Sequence, residues 1–125
     1  TGDLKKILAP LVKVKDENRF LAQVFQSIRI EVNDELEVIR TLLRDSSQYI
    51  KKGGRLVCIS YHSLEDRIVK KFIQNGGYND EVPTDLYGNK NFIFKKVGKM
   101  ITPSSEEIKL NNRSRSAKLR IAEKI

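Results

Sequence analysis

A chain of 125 residues with 39% hydrophobic content is long enough for one domain with a modest core. No apolar run approaches the roughly 18 residues of a membrane-spanning helix, and no secretory leader pattern opens the sequence, so no membrane partner and cytoplasmic residence are the expectations. The lone Cys58 lies inside an apolar stretch and no second Cys or nearby His stands at ligand spacing, which favours a buried free thiol over a metal site. Net charge is +8, from 24 basic and 16 acidic residues, and it is unevenly spread. Residues 1–44 carry eight basic and seven acidic side chains, residues 45–90 seven and six, and residues 91–125 nine and three. The surplus in the last third suits either a face that meets an RNA backbone or an ordinary solubilising surface.

In chain order, Thr1-Gly2-Asp3 reads as the cap of a short helix over 4–8 that Pro10 ends, and 11–17 reads as a connection. Asp16 then caps a long helix over 18–44. Its apolar positions Phe20, Val24, Phe25, Ile28, Val32, Leu36, Ile39 and Leu43 recur at spacings of three and four, so they share one face. Within it, Asn33-Asp34-Glu35 reads as a solvated polar triplet. Asp45 reads as an interruption, 46–51 as a last turn, and Gly53-Gly54 as the stop.

The run Gly54-Arg-Leu-Val-Cys-Ile-Ser-Tyr-His-Ser-Leu-Glu-Asp-Arg-Ile-Val-Lys-Lys-Phe72 reads as strand, polar turn and helix. The strand covers 55–60 and the helix 63–74, with Ser63 and Asp66 forming a capping box and Asn75-Gly76-Gly77 ending the helix. Residues 76–91 read as a loop, 91–97 as a strand, 98–116 as irregular, and 118–124 as a last strand. This order of long helix, strand, helix and two final strands is α/β. A right-handed crossover makes the 55–60 and 91–97 strands parallel, and the final strand could then return antiparallel as an edge.

Ligands of a parallel α/β sheet gather beyond the C-terminal ends of its strands. Two parallel strands end on the same edge, so Ser60, Tyr61 and His62 are expected beside the loop carrying Arg113 and Arg115. That rim would offer an aromatic ring to stack on an extruded base and guanidinium groups to hold phosphates. His62 reads equally as a hydrogen-bonded histidine at the helix start. Ser63, His62 and Asp66 do not read as a hydrolase triad, since neighbouring residues at a helix start point apart and the cap accounts for them. Asp66 and Arg67 also read as structural hydrogen-bonding groups, and 114–118 also as a plain basic turn.

Three blocks resemble the bacterial ribosomal RNA small-subunit methyltransferase H family, also called MraW. Phe25-Gln-Ser-Ile-Arg-Ile-Glu-Val-Asn-Asp-Glu-Leu36 is similar to the family's F-Q-A-L-R-I-x-V-N-D-E-L. Ile59-Ser-Tyr-His-Ser-Leu-Glu-Asp-Arg-Ile-Val-Lys70 is similar to I-S-F-H-S-L-E-D-R-I-V-K. The third block is Asn112-Arg-Ser-Arg-Ser-Ala-Lys-Leu-Arg-Ile-Ala-Glu123. Tyr61 stands where the family usually has Phe, and Asn112 where it commonly has Pro.

The resemblance implies transfer of a methyl group from S-adenosylmethionine to a cytosine N4 in small-subunit (16S) rRNA. It implies a Rossmann-like methyltransferase sheet of which this chain is the C-terminal portion, without the N-terminal cofactor-binding strands. Residues 1–17 would be the end of a helical insertion or a linker, and 18–125 the C-terminal part of the methyltransferase domain. The chain opens on Thr1, which also suggests a fragment of a longer protein. Gly53-Gly54 precedes a strand and is no cofactor loop, so no cofactor-binding residue is expected here and the segment alone should be inactive. Its catalytic residue is not assignable. Ser60, Tyr61, His62, Arg113 and Arg115 are the expected substrate contacts, with small-subunit rRNA or the ribosomal subunit as partner. The competing expectations are a non-catalytic basic RNA-binding module and a dimerisation piece, in which a homodimer forms by strand exchange at an unpaired sheet edge.

Overall fold

The computed structural model describes residues 1–11, 16–78 and 80–125. The chain forms two compact units, residues 1–35 and 36–125. The expected connection over 11–17 lies largely outside the described residues.

The first unit holds α1 (Gly2–Leu8), a 3-10 turn (Ala9–Leu11) that contains Pro10, and α2 (Glu17–Val32). Thr1 and Asp16 occupy the N-cap positions of α1 and α2 without a capping side-chain bond. The single long helix expected over 18–44 is instead two helices, because Asp34 takes a left-handed φ of 50° and starts a new helix, α3 (Glu35–Tyr49). Asp and Asn tolerate that conformation better than other residues with a Cβ, so the triplet read as a solvated face is the break itself. Arg29 closes over it, with its Nε 2.9 Å from Glu35 Oε1, and Asn33 Nδ2 donates to the same carboxylate. Asp45 does not interrupt α3, which runs through to Tyr49.

The second unit is built on a three-stranded sheet of β1 (Arg55–Ser60), β2 (Phe94–Ile101) and β3 (Lys118–Lys124), with α4 (Ser63–Gln74) between β1 and β2 in sequence. The strand order is β1-β3-β2, and β3 is antiparallel to both neighbours. β1 and β2 therefore run parallel, as expected, but they do not touch. The final strand, expected at an edge, is the centre of this sheet. It pairs with β1 over residues 118–123 and with β2 at Leu119 and over 121–124, and Ala122, where the two ladders overlap, has no exposed surface. Gly53, with φ 79°, turns the chain from α3 into β1 and donates its N–H to Lys124.

β1 alternates, with Leu56, Cys58 and Ser60 turned inward and Val57 and Ile59 left exposed. Phe72, Ile73 and Val69 of α4 pack with Leu43, Phe94 and Ala122, and the Phe72 and Phe94 rings lie 5.9 Å apart. Each of the larger side chains among these contributes roughly 1.5–3 kcal/mol through burial. Half-burial in this layer pushes the Cys58 thiol above its ordinary pKa, in keeping with an inert packed cysteine.

β2 starts at Phe94 and reaches Ile101, later on both sides than the 91–97 expected. The segment 98–116 is also more ordered than its composition suggests. It contains the end of β2, α5 (Ser105–Leu110) capped by Ser104 Oγ, and a 3-10 helix (Asn112–Ser116) capped by Asn111.

Candidate nucleic-acid interface

The β1-to-α4 turn is held by a reciprocal cap centred one residue earlier than expected. His62 occupies the N-cap position and its Nδ1 accepts the Leu64 N–H at 3.4 Å, while Glu65 Oε2 accepts the Tyr61 and His62 N–H groups at 3.2 Å each. Ser63 is thus the first helical residue and its partnership with Asp66 does not form. A cap residue needs an extended backbone, and His62 has it, with φ −117° and ψ 145°. Capping leaves His62 half-buried and turns the Tyr61 ring outward, 58% exposed.

Asp66 is released for a longer-range task. It is 6% exposed and takes Arg120 in a two-point pair, Nε at 2.7 Å and Nη2 at 3.1 Å, with Lys118 Nζ at 3.4 Å. The Arg120 hydrogen bonds hold its carboxyl below the usual carboxylate range against the opposing effect of burial, and the charges of Arg120 and Lys118 reinforce them. This pair fastens the start of α4 to the middle strand. It also consumes two of the basic residues of the third sequence block for structure.

Arg113 and Arg115 are used differently. They flank Ser114, which is 4% exposed and donates its hydroxyl to the Asn111 carbonyl at 2.7 Å. Burying the middle residue of the short helix leaves both arginines exposed, and neither has an ion-pair partner among the described residues. β3 starts where β1 ends, with Ser60 paired to Lys118, and β2 ends opposite Leu119. All five expected contact residues therefore belong to one end of the sheet. The inserted strand β3 supplies this convergence, since β1 and β2 are not adjacent. Ser60 is the exception in accessibility, at 4% exposed. Beside Tyr61, a groove of about 470 Å³ runs between β1 and α3, lined by Leu42, Val57, Ile59 and Glu65 among others. Glu65, which fixes the Tyr61 backbone, was missed in the sequence because Asp66 offered the more familiar spacing.

No helix among the described residues is long and apolar enough to cross a membrane, and no three His, Cys, Asp or Glu side chains among them are grouped to hold a metal ion. The Gly53-Gly54 turn sits at the sheet end opposite the rim, its Gly53 N–H is spent on Lys124, and a Cβ at Gly54 would collide with Ile50 and the Lys51 carbonyl.

Fold and rim thus define an α/β protein with one sheet end that carries an exposed aromatic ring and two arginines without ion-pair partners among the described residues, groups of the kind that meet an anionic polymer with stacking bases. The chain belongs to the MraW methylase family, whose model matches residues 1–125. It is 54% identical over 125 residues to a ribosomal RNA small subunit methyltransferase H of Flavobacterium johnsoniae, covering 100% of this chain and 41% of that protein. Proteins of the same name from Cytophaga hutchinsonii and Parabacteroides distasonis are 53% and 48% identical, with 99% of this chain and 42% and 41% of theirs covered. The chain spans about two fifths of the length of these curated relatives.

Proposed function

We propose that these 125 residues are the C-terminal part of an S-adenosylmethionine-dependent enzyme that methylates N4 of a cytosine in small-subunit rRNA, and that they serve its RNA-facing side. The observation that carries this reading is the match along the whole chain to proteins named rRNA methyltransferase at about half identity, with a family match over residues 1–125. The rim supports it in kind: Tyr61 is presented for stacking on an extruded base, and Arg113 and Arg115 for bidentate contact with phosphates. Ser60 and His62 shape this end of the sheet, His62 by setting the orientation of the turn through its cap. Residues 1–17 are assigned to the end of a helical insertion or a linker, and 18–125 to the catalytic domain.

The open edge of β1 fits the same reading. Among the described residues β1 pairs on one side, with β3, and an open edge suits further strands of a Rossmann-like sheet, while Val57 and Ile59, 53% and 58% exposed on the outer face, suit a layer packed on that sheet. Those strands would carry the cofactor site, and S-adenosylmethionine would supply the methyl group there. The residues in hand contribute positioning and water exclusion at the substrate.

The test is methyl transfer to small-subunit rRNA by the full-length protein, read by mass spectrometry of nuclease fragments. A methylated cytosine at N4 is expected from the full protein and no product from the 125 residues alone. Product from the isolated segment, or methylation at another position, would overturn the assignment. The unpaired β1 edge also supports a second reading for the isolated segment, in which two copies pair through it. Sedimentation should then show mass rising with concentration, whereas a constant monomer mass would reject it.

A further inference from the structure

We propose that the pocket between α4 and the bent half of β2 is a second phosphate-binding site for RNA, formed by Lys70, Lys96 and Lys99 and separate from the arginine rim. The inference rests on the reading above for its ligand, but on different residues for its geometry.

Lysines at 96 and 99 of a regular strand would point to opposite faces of the sheet. β2 is not regular there: Val97 pairs with Ile121 but Ile101 pairs with Leu119, so the strand carries extra residues, and Gly98 takes a φ of 65°. A residue with a side chain rarely adopts that conformation, whereas glycine does so freely. The irregularity brings Lys96 and Lys99 to one pocket, where Lys70 of α4 meets them over a floor that includes Ile73, Val97 and Ile121. Its volume is about 60 Å³, room for a phosphate group or a few waters. Arg120 also reaches the wall but is already committed to Asp66.

The three lysines are exposed and have no ion-pair partner among the described residues. Lys95, by contrast, lies 3.7 Å from Glu123. Arg67 and Lys71 of α4 line a separate hollow that also holds Asp80, so with Lys70 cations stand at i, i+3 and i+4 of one helix, a spacing at which like charges repel. Helix stability alone gains nothing from that pattern. A polyanion lying along α4 and ending at the rim relieves it.

The experiment uses the full-length protein carrying K70Q/K96Q/K99Q, with K51Q/K52Q as a charge-removal control at the opposite end of the sheet. Binding to small-subunit rRNA is measured across salt concentrations, together with methylation kinetics. Each lost phosphate contact lowers the slope of log K against log salt by about 0.7 on single strands and about 0.9 on duplex, so the triple variant should lose about 2 to 3. Its KM for RNA should rise about tenfold or more at low salt with kcat unchanged, and K70R/K96R/K99R should restore both. An unchanged slope in a triple variant that melts normally would overturn the site, as would an equal loss per charge in the control. Failure of the unaltered protein to bind or methylate rRNA would overturn the functional reading itself, and this site with it.

Discussion

Four basic residues fall within eight positions of the third sequence block, and the fold divides them into two pairs with opposite fates. Lys118 and Arg120 point inward to the buried carboxylate of Asp66, whereas Arg113 and Arg115 flank a buried serine and face solvent. The first pair is geometry for the fold and the second is charge held in reserve. Composition treats all four alike. The lesson is that a basic stretch has to be divided by partner before any of it is assigned to RNA.

The largest effect should come from removing the inward partner. Asp66→Ala leaves Arg120, whose side chain is 13% exposed, without its two-point acceptor. Breaking a buried pair in this way should lower unfolding free energy by about 3 kcal/mol in denaturant titration. Asp66→Asn should cost less, since an amide oxygen still accepts from Arg120.

Acid should expose the same contrast. The folded-state pKa of Asp66 is depressed, so its stabilisation is fully present above the unfolded carboxylate value of about 3.9 and is lost as pH falls through the lower folded value. Thermal melts of the unaltered chain should therefore drop below about pH 4, and that limb should flatten in Asp66→Asn. An equal acid slope in the two proteins would assign the loss to other carboxylates.

Glu65→Ala comes next, at about 1 kcal/mol, because the Tyr61 and His62 N–H groups lose their acceptor. Under the proposed function it should also raise KM for RNA in the full-length protein, by loosening the turn that presents Tyr61. The smallest effect on stability belongs to the outward pair. Arg113→Ala and Arg115→Ala should each change unfolding free energy by no more than about 0.5 kcal/mol. Each should nevertheless weaken rRNA binding and reduce its salt slope by about 1. If either arginine proves as costly to the fold as Asp66, the division of the block is wrong.

Much of the local structure was legible in the residues. Arg55–Ser60, the helix to Gln74 and Lys118–Lys124 fall where β-branched runs, apolar spacing and glycine punctuation put them. The misreadings share a cause, which is that one residue type served two local purposes equally well. Asp34 suited a solvated helix face as well as a left-handed break, and Asp66 suited a cap as well as a buried ion pair. Gly98, read as the start of an irregular stretch, proved to be a bend within β2.

By itself the sequence determined the family, the α/β character, the ends of its central strand-helix unit and the concentration of positive charge in the last third. These follow from side-chain chemistry and from spacing along a few turns of chain, which tertiary contacts do not alter. Only the tertiary structure decided that the last strand enters the middle of the sheet, that Asp66 answers Arg120 across 54 residues, and that three lysines from α4 and β2 share a pocket. Strand order and long-range ion pairs depend on which segments bury the most surface together and satisfy the most backbone groups. That competition is settled among distant parts of the chain, beyond the reach of any local pattern.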